Sequence, residues 1–155
     1  MSPREDNITI EDAKILFLNF AGREGQFNAA GDRNFCVLLD TAMADTLVAN
    51  GWNVKQLNPR EEGEEPQPYL PVSVGFGNYP PRIVMIGAQS GSRTELGESQ
   101  VELLDSVEVA HVDLMVRPYN WEVSGKKGKK AYLKSLYITI IEDALELKYA
   151  IPHSD

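Results

Sequence analysis

The sequence predicts a mainly β protein, an antiparallel barrel or sandwich with one or two short helices and long loops. Apolar runs of strand length recur along the 155 residues, and loops rich in glycine, proline or charge separate them. About seven or eight such runs occur, without the alternation of strands and long helices that indicates a parallel sheet. With 43% apolar residues, the chain is expected to form a single domain over 1–155.

The first two strands are predicted at residues 13–20 and 35–39, which are apolar on both faces. The loop between them contains three glycines, so the pair is expected to form a long hairpin.

This first loop also carries Arg23, Phe27 and Arg33, a small cluster of basic and aromatic groups that could contact a nucleic acid. The alternative is structural. Phe27 would pack back onto the protein, and the arginines would pair with Glu24 and Asp32.

A short helix is predicted at 42–50, because Thr41 can cap its start and Gly51 can end it. A short strand at 52–57 should follow. Trp52, directly after the helix, is expected to be a core residue and not a binding residue.

Apart from its prolines, the segment 58–68 contains only polar residues and one glycine, and it carries four glutamates. It is expected to form an exposed acidic loop. The glutamates lack rigid spacing and partner ligands, so no metal site is predicted.

Two further strands are predicted at 69–76 and 82–86, separated by a proline-containing turn. A flexible linker at 87–98 and a helical turn at 99–105 should follow. A change in the phase of the apolar alternation predicts a β-bulge near Ala110 or His111.

Residues 112–137 are the most informative part of the chain, and are predicted to form two strands joined by a lysine-rich loop. Alternation places the side chains of Val112, Leu114 and Val116 on one face. The aromatic and basic side chains that follow should therefore point outward together. From 117 to 134 the segment has six basic residues and one acidic residue, in a chain of net charge −8.

Cations interleaved with aromatic rings on a β surface are suited to holding single-stranded nucleic acid, because the charges attract phosphates and the rings stack on bases. The candidate residues in this segment are Arg117, Tyr119, Trp121, Lys126, Lys127, Lys129, Lys130, Tyr132 and Lys134. Two structural alternatives remain: the aromatics could pack under a loop or a second subunit, and the lysines could be a solvated hairpin tip.

The chain lacks the short motifs of common enzymes and phosphate-binding loops, so no catalytic residue and no cofactor are predicted. Glu108, His111 and Asp113 could in principle form a nuclease-like site. The single cysteine, Cys36, is expected to be a small core residue. The absence of a long apolar run or a secretory signal favours a cytoplasmic protein without a membrane partner.

The segments VDLMVRPYNWEV and KAYLKSLYITI, with the glycine- and lysine-containing loop between them, resemble phage-type single-stranded DNA-binding proteins of the OB-fold class. The opening ILFLNFAGREGQFNAAGDRNFCVLL is similar to small phage replication proteins of this kind. The resemblance implies an OB-like barrel that binds single-stranded DNA with little sequence preference, in replication or recombination. The implied partner is single-stranded DNA. Replication or recombination proteins and further copies of the chain are additional candidate partners. A phage-encoded chain would act in the host cytoplasm.

Two other functions fit the residues less closely. One is a β-rich virion or protein-interaction module whose basic hairpin meets an acidic surface. The other is a small metal-dependent nuclease.

Overall fold

The described part of the chain consists of nine β-strands and two short helices. The computed structural model describes residues 7–26, 28–57, 63 and 65–142. In chain order the elements are β1 (Ile8–Ile10), β2 (Ile15–Asn19), β3 (Arg33–Leu38), α1 (Thr41–Ala49), β4 (Lys55–Leu57), β5 (Gln67–Val74), β6 (Arg82–Gly87), β7 (Arg93–Leu96), a 3₁₀ helix (Val101–Ser106), β8 (Glu108–Val123) and β9 (Lys126–Ile141). The mainly β, OB-like prediction is confirmed.

All nine strands belong to one sheet, whose main path runs β1-β8-β9-β5-β3-β2. Strand β4 pairs with β5, while β6 pairs with both β7 and β9. The described strands form a mixed sheet that does not close, where a purely antiparallel barrel was expected. The difference arises at β9, whose pairings with β5 and β6 are parallel. Parallel pairing needs a long connection, and the chain between these strands and β9 supplies it.

The core lies under the inward face of this sheet. In β5 the burial alternates strictly, so that Leu70, Val72 and Val74 are buried and the residues between them are partly exposed. On the neighbouring strand, Phe35 stacks on Phe20 with ring centroids 5.2 Å apart. Burying each such side chain contributes on the order of 1.5–3 kcal/mol.

Helix α1 begins after Asp40, whose carboxylate accepts a hydrogen bond from the Met43 backbone N–H at 2.7 Å. Asp40 is therefore the cap, where Thr41 was expected. After the helix, Gly51 takes a left-handed conformation with φ 88°. Trp52 then turns into the core and is 6% exposed, which confirms its predicted structural role.

The predicted linker at 87–98 contains more regular structure than expected. Residues 93–96, within the predicted linker at 87–98, form β7 and pair with β6. The bulge predicted near Ala110 is confirmed, because the β8–β9 register passes from Val109 to His111 with one residue unpaired. No helix in the described segments is long and apolar enough to cross a membrane.

Candidate nucleic-acid interface

The long hairpin of β8 and β9 sets the geometry of the candidate interface. Ser124 and Gly125 reverse the chain with φ values of 52° and 81°, a two-residue turn typical of tight hairpins. Pairing therefore resumes at Lys126, and the predicted lysine-rich loop is in fact the start of β9.

Residues opposite each other in an antiparallel pair project to the same face. Arg117 lies opposite Tyr132, Tyr119 opposite Lys130, and Val123 opposite Lys126. The inward positions of β8, from Val112 to Val116, are buried as predicted. One surface thus collects six of the predicted residues, and we call it the aromatic face: Arg117, Tyr119, Trp121, Lys126, Lys130 and Tyr132.

Cation–ring contacts organise this face. The Arg117 guanidinium carbon lies 5.1 Å from the Tyr132 ring centroid and 5.5 Å from that of Tyr79. The Lys130 ammonium lies 5.2 Å from the Tyr132 ring, and Tyr119 meets the same ring edge-on at 6.0 Å. Positive charge and aromatic surface are therefore held within one patch.

The rings at the outer end of the hairpin remain accessible. Tyr119 is 55% exposed and Trp121 is 38% exposed, while Tyr79 in the loop after β5 is 73% exposed. These side chains can offer a ring surface to an incoming base. Tyr79 was missed by sequence reasoning, since only its contact with Arg117 places it beside the hairpin.

Three of the predicted lysines lie elsewhere. Lys127 and Lys129 pair with Glu122 and Asn120, so they project to the opposite face of the hairpin. The Lys129 ammonium lies 5.7 Å from the Trp52 ring.

The third, Lys134, sits at a second bulge on β9. Met115 pairs with Ser135 and Val116 with Leu133, which leaves Lys134 as the extra residue.

The predicted loop cluster is only partly described. Phe27 lies outside the described residues, and Arg23 is exposed. Arg33 is the first residue of β3 and forms an ion pair with Glu98 at 3.4 Å, where a pairing with Asp32 was the alternative.

Beside the aromatic face lies a groove of about 520 Å³ over β3 and β5. Tyr132 and Lys130 line one side of it, so the groove and the aromatic face are continuous. Its further lining includes Lys55, Tyr69 and Phe76, which sequence reasoning also missed. The outward alternation of Tyr69 in β5 was readable, but not that it lines the same groove as Lys130 and Tyr132 of β9.

The groove floor includes Cys36, which is half-buried, where a core position was expected. Burial raises the pKa of its thiol, against a smaller opposing effect of the Lys55 charge.

Among the residues that the structure describes, no carboxylate forms an ion pair with a cation of the aromatic face. Among the described residues, ion pairs join Arg33 to Glu98 and His111 to Asp12 and Asp113. None of these pairs involves a cation of the hairpin face.

Of the three residues considered for nuclease chemistry, His111 and Asp113 contact each other, while Glu108 is exposed at the start of β8. His111 contacts Asp12 at 3.2 Å and Asp113 at 3.1 Å. Asp113 also accepts the Asp12 backbone N–H, which lowers the pKa of its carboxyl together with the contact to His111. Within the part of the chain that the structure covers, no cluster of three or more His, Cys, Asp or Glu side chains suits a metal ion.

Comparison with solved structures finds the same fold in a phage protein. A C-terminally truncated single-stranded DNA-binding protein from bacteriophage Enc34 matches with a TM-score of 0.55 and 13% identity, over 90% of this chain and 88% of that chain. The structure of that phage's protein in complex with single-stranded DNA gives 0.55 and 11%, over 90% and 89%. Identities this low support the fold alone. No curated protein matches the chain.

The family comparison covers nearly all of the sequence. A model described as a putative phage single-stranded DNA-binding domain matches residues 2–155. The chain therefore belongs to the family of phage single-stranded DNA-binding domains.

Proposed function

We propose that this protein binds single-stranded DNA on the aromatic face of the β8–β9 hairpin, with little sequence preference, during phage-type replication or recombination. The observation that carries the proposal is the patch around Tyr132. Two cations and a second tyrosine surround this ring, next to the exposed Trp121. Membership of the phage single-stranded DNA-binding family supports the same ligand.

The two kinds of side chain would have separate tasks. Arg117, Lys126 and Lys130 would contact phosphates, which makes binding sensitive to salt. Tyr119 and Trp121 would stack on bases, and each stacking ring contributes roughly 1–3 kcal/mol in comparable proteins. Stacking uses the faces of the bases, which all four share, so sequence tolerance follows.

The overall negative charge is compatible with this role. Exposed charges further apart than about 10 Å are largely screened at 0.1 M salt. A single strand on the hairpin would therefore respond mainly to the local cations and only weakly to the net charge of −8.

We further propose that the role is binding without catalysis, in the cytoplasm of the host if the chain is phage-encoded. Replication or recombination proteins and further copies of the chain would be its protein partners. The family assignment supports a binding role, and the His111 contacts described above have a structural explanation.

A titration of a fluorescent oligothymidine with the protein, repeated at several salt concentrations, tests the proposal. We expect saturable binding that weakens as salt rises, and weaker binding to a duplex of equal length. Substitutions on the aromatic face should weaken this saturable binding. Equal affinity of wild-type protein and a Tyr119→Ala/Trp121→Ala variant, both folded, would overturn the assignment of the site.

A further inference from the structure

Arg33 stands at one end of the groove beside the aromatic face. It begins β3 and lies opposite Val74 at the end of β5. Its guanidinium carbon lies 5.8 Å from the ring centroid of Phe76, which follows β5 in the chain. A cation and a ring are therefore paired at this end of the groove, as they are at Arg117 and Tyr132.

The guanidinium is incompletely paired. Its single ion pair among the described residues joins Nη1 to Glu98 Oε2 at 3.4 Å, longer than the 2.7–2.9 Å typical of charge-assisted hydrogen bonds. Its Nε is buried and has no hydrogen-bond partner in the described part of the chain. An arginine fork can bind an anion through two donors, so Glu98 leaves part of this capacity unused.

Glu98 itself is held loosely. Its side chain is 60% exposed, whereas that of Arg33 is 22% exposed. Ion pairs with an exposed partner are weak. A DNA phosphodiester carries one negative charge and two free oxygens, as the carboxylate does, and can engage the arginine fork through both oxygens. It can therefore replace the single 3.4 Å contact that Glu98 makes.

We propose that Arg33 and Phe76 form a second nucleotide subsite, which takes a phosphate and a base of the same DNA strand, and that Glu98 occupies the phosphate position in the free protein. This inference rests on the proposed function, because the strand would reach the subsite from the aromatic face. The shared lining residues Lys130 and Tyr132 provide that continuity. Glu98 thereby lowers the affinity of the subsite until a phosphate displaces it.

The experiment is a double-mutant cycle on oligothymidine affinity with Glu98→Gln, Arg33→Gln and the double variant. Glu102→Gln is the matched control. Glu102 is exposed in the 3₁₀ helix, and has no ion pair among the described residues. It reports the effect of removing one negative charge from the same region.

We expect Glu98→Gln to tighten binding by about two- to five-fold, the range that corresponds to an exposed ion pair, and by more than Glu102→Gln does. Arg33→Gln should weaken binding and make the log-affinity against log-salt slope shallower by about 0.7, the loss of one phosphate contact on a single strand. In the Arg33→Gln background, Glu98→Gln should have no more effect than the control. Melting midpoints verify that each variant is folded, and Arg33→Lys, which keeps the charge but loses the fork, should bind between wild type and Arg33→Gln.

Equal effects of Glu98→Gln in both backgrounds, or an unchanged salt slope in Arg33→Gln, would overturn the subsite. Hairpin variants distinguish this failure from failure of the proposed function. If Trp121→Ala weakens binding while Arg33→Gln does not, only the second subsite is wrong. If neither matters, the site on the aromatic face is wrong as well.

Discussion

The indole of Trp121 lies against Gly128, the residue opposite it on β9, so closely that a Cβ atom added to Gly128 would come within 2.5 Å of the ring. Because Gly128 has no side chain, the indole can pack directly against the β9 backbone on the aromatic face. This contact fixes the position of the outermost ring that we propose for base stacking.

Substitution of Gly128 should therefore impair binding, although Gly128 is not itself a proposed DNA contact. Gly128 does not have the left-handed backbone that strains other residues, so Gly128→Ala is tolerated by the main chain. We expect the indole to be displaced and oligothymidine affinity to fall several-fold. Gly97→Ala is the control, because its Cβ would meet only ordinary contact at 3.7 Å. Unchanged affinity and unchanged tryptophan emission in Gly128→Ala would contradict the proposal that Gly128 positions the Trp121 indole.

The two tryptophans should respond oppositely to substitution. Trp121 is 38% exposed and Trp52 is 6% exposed. Trp121→Ala should lose roughly 1–3 kcal/mol of binding free energy, with little change in melting midpoint. Trp52→Phe should lower the melting midpoint and leave the affinity of the folded protein nearly intact. Titration and thermal melting of both variants measure this; a large stability loss in Trp121→Ala with normal binding would assign that residue to the core.

The lysines of β9 should matter according to the face they occupy. Lys130 projects to the aromatic face and Lys127 to the opposite one. Lys130→Glu should weaken single-strand binding and reduce the magnitude of the salt slope by at least about 0.7, whereas Lys127→Glu should have the smaller effect. Both changes alter the net charge equally, so the comparison isolates position. Equal losses in the two variants would indicate attraction by total charge alone.

Acidification should weaken the hydrogen bond from the Asp12 backbone N–H, in the β1–β2 loop, to the Asp113 carboxylate in β8. The backbone N–H of Asp12 and, to a smaller extent, His111 lower the pKa of Asp113 from its ordinary 3.8. The stabilisation is therefore complete above the ordinary value and is lost as pH falls through the lower folded value. Asp113→Asn should melt below wild type at pH 7, and the difference should shrink below about pH 4. Asp45→Asn, on the exposed side of α1, is the control; a difference independent of pH would refute the linkage.

The acidic loop should be dispensable for folding. Gln67 begins β5, and its side-chain amide donates hydrogen bonds to the carbonyls of Leu39 and Pro68, so a deletion must stop before it. Replacing residues 60–65 with a short Gly-Ser bridge removes four glutamates and one arginine. A modest change in loop length costs well under about 1 kcal/mol. We expect an unchanged melting midpoint and tighter DNA binding; loss of soluble protein would show that this loop is required.

Local patterns predicted the hairpin but not its surroundings. Alternation from Val112 to Trp121 was enough to separate buried from exposed side chains, because that rule needs only neighbouring residues. The lysines were assigned to a loop because a two-residue turn at Ser124 was not recognised, and so their division between two faces was missed. The groove depends on parallel pairing of β5 with β9. This pairing joins Val72 to Ala131, about sixty positions apart, so neither segment by itself predicts it.

Strand β9 pairs with β8 and also with β5 and β6, and these pairings predict the order of folding. Its antiparallel pairing with β8 closes through the turn at Ser124 and Gly125, whereas its parallel pairings with β5 and β6 join distant segments. Contacts between near neighbours in sequence form early, because closing a short loop costs little entropy. We therefore expect the hairpin to be assembled before the groove exists. A partly folded chain would then expose the stacking rings of the hairpin but lack the second subsite. It would therefore bind DNA more weakly than the fully folded protein.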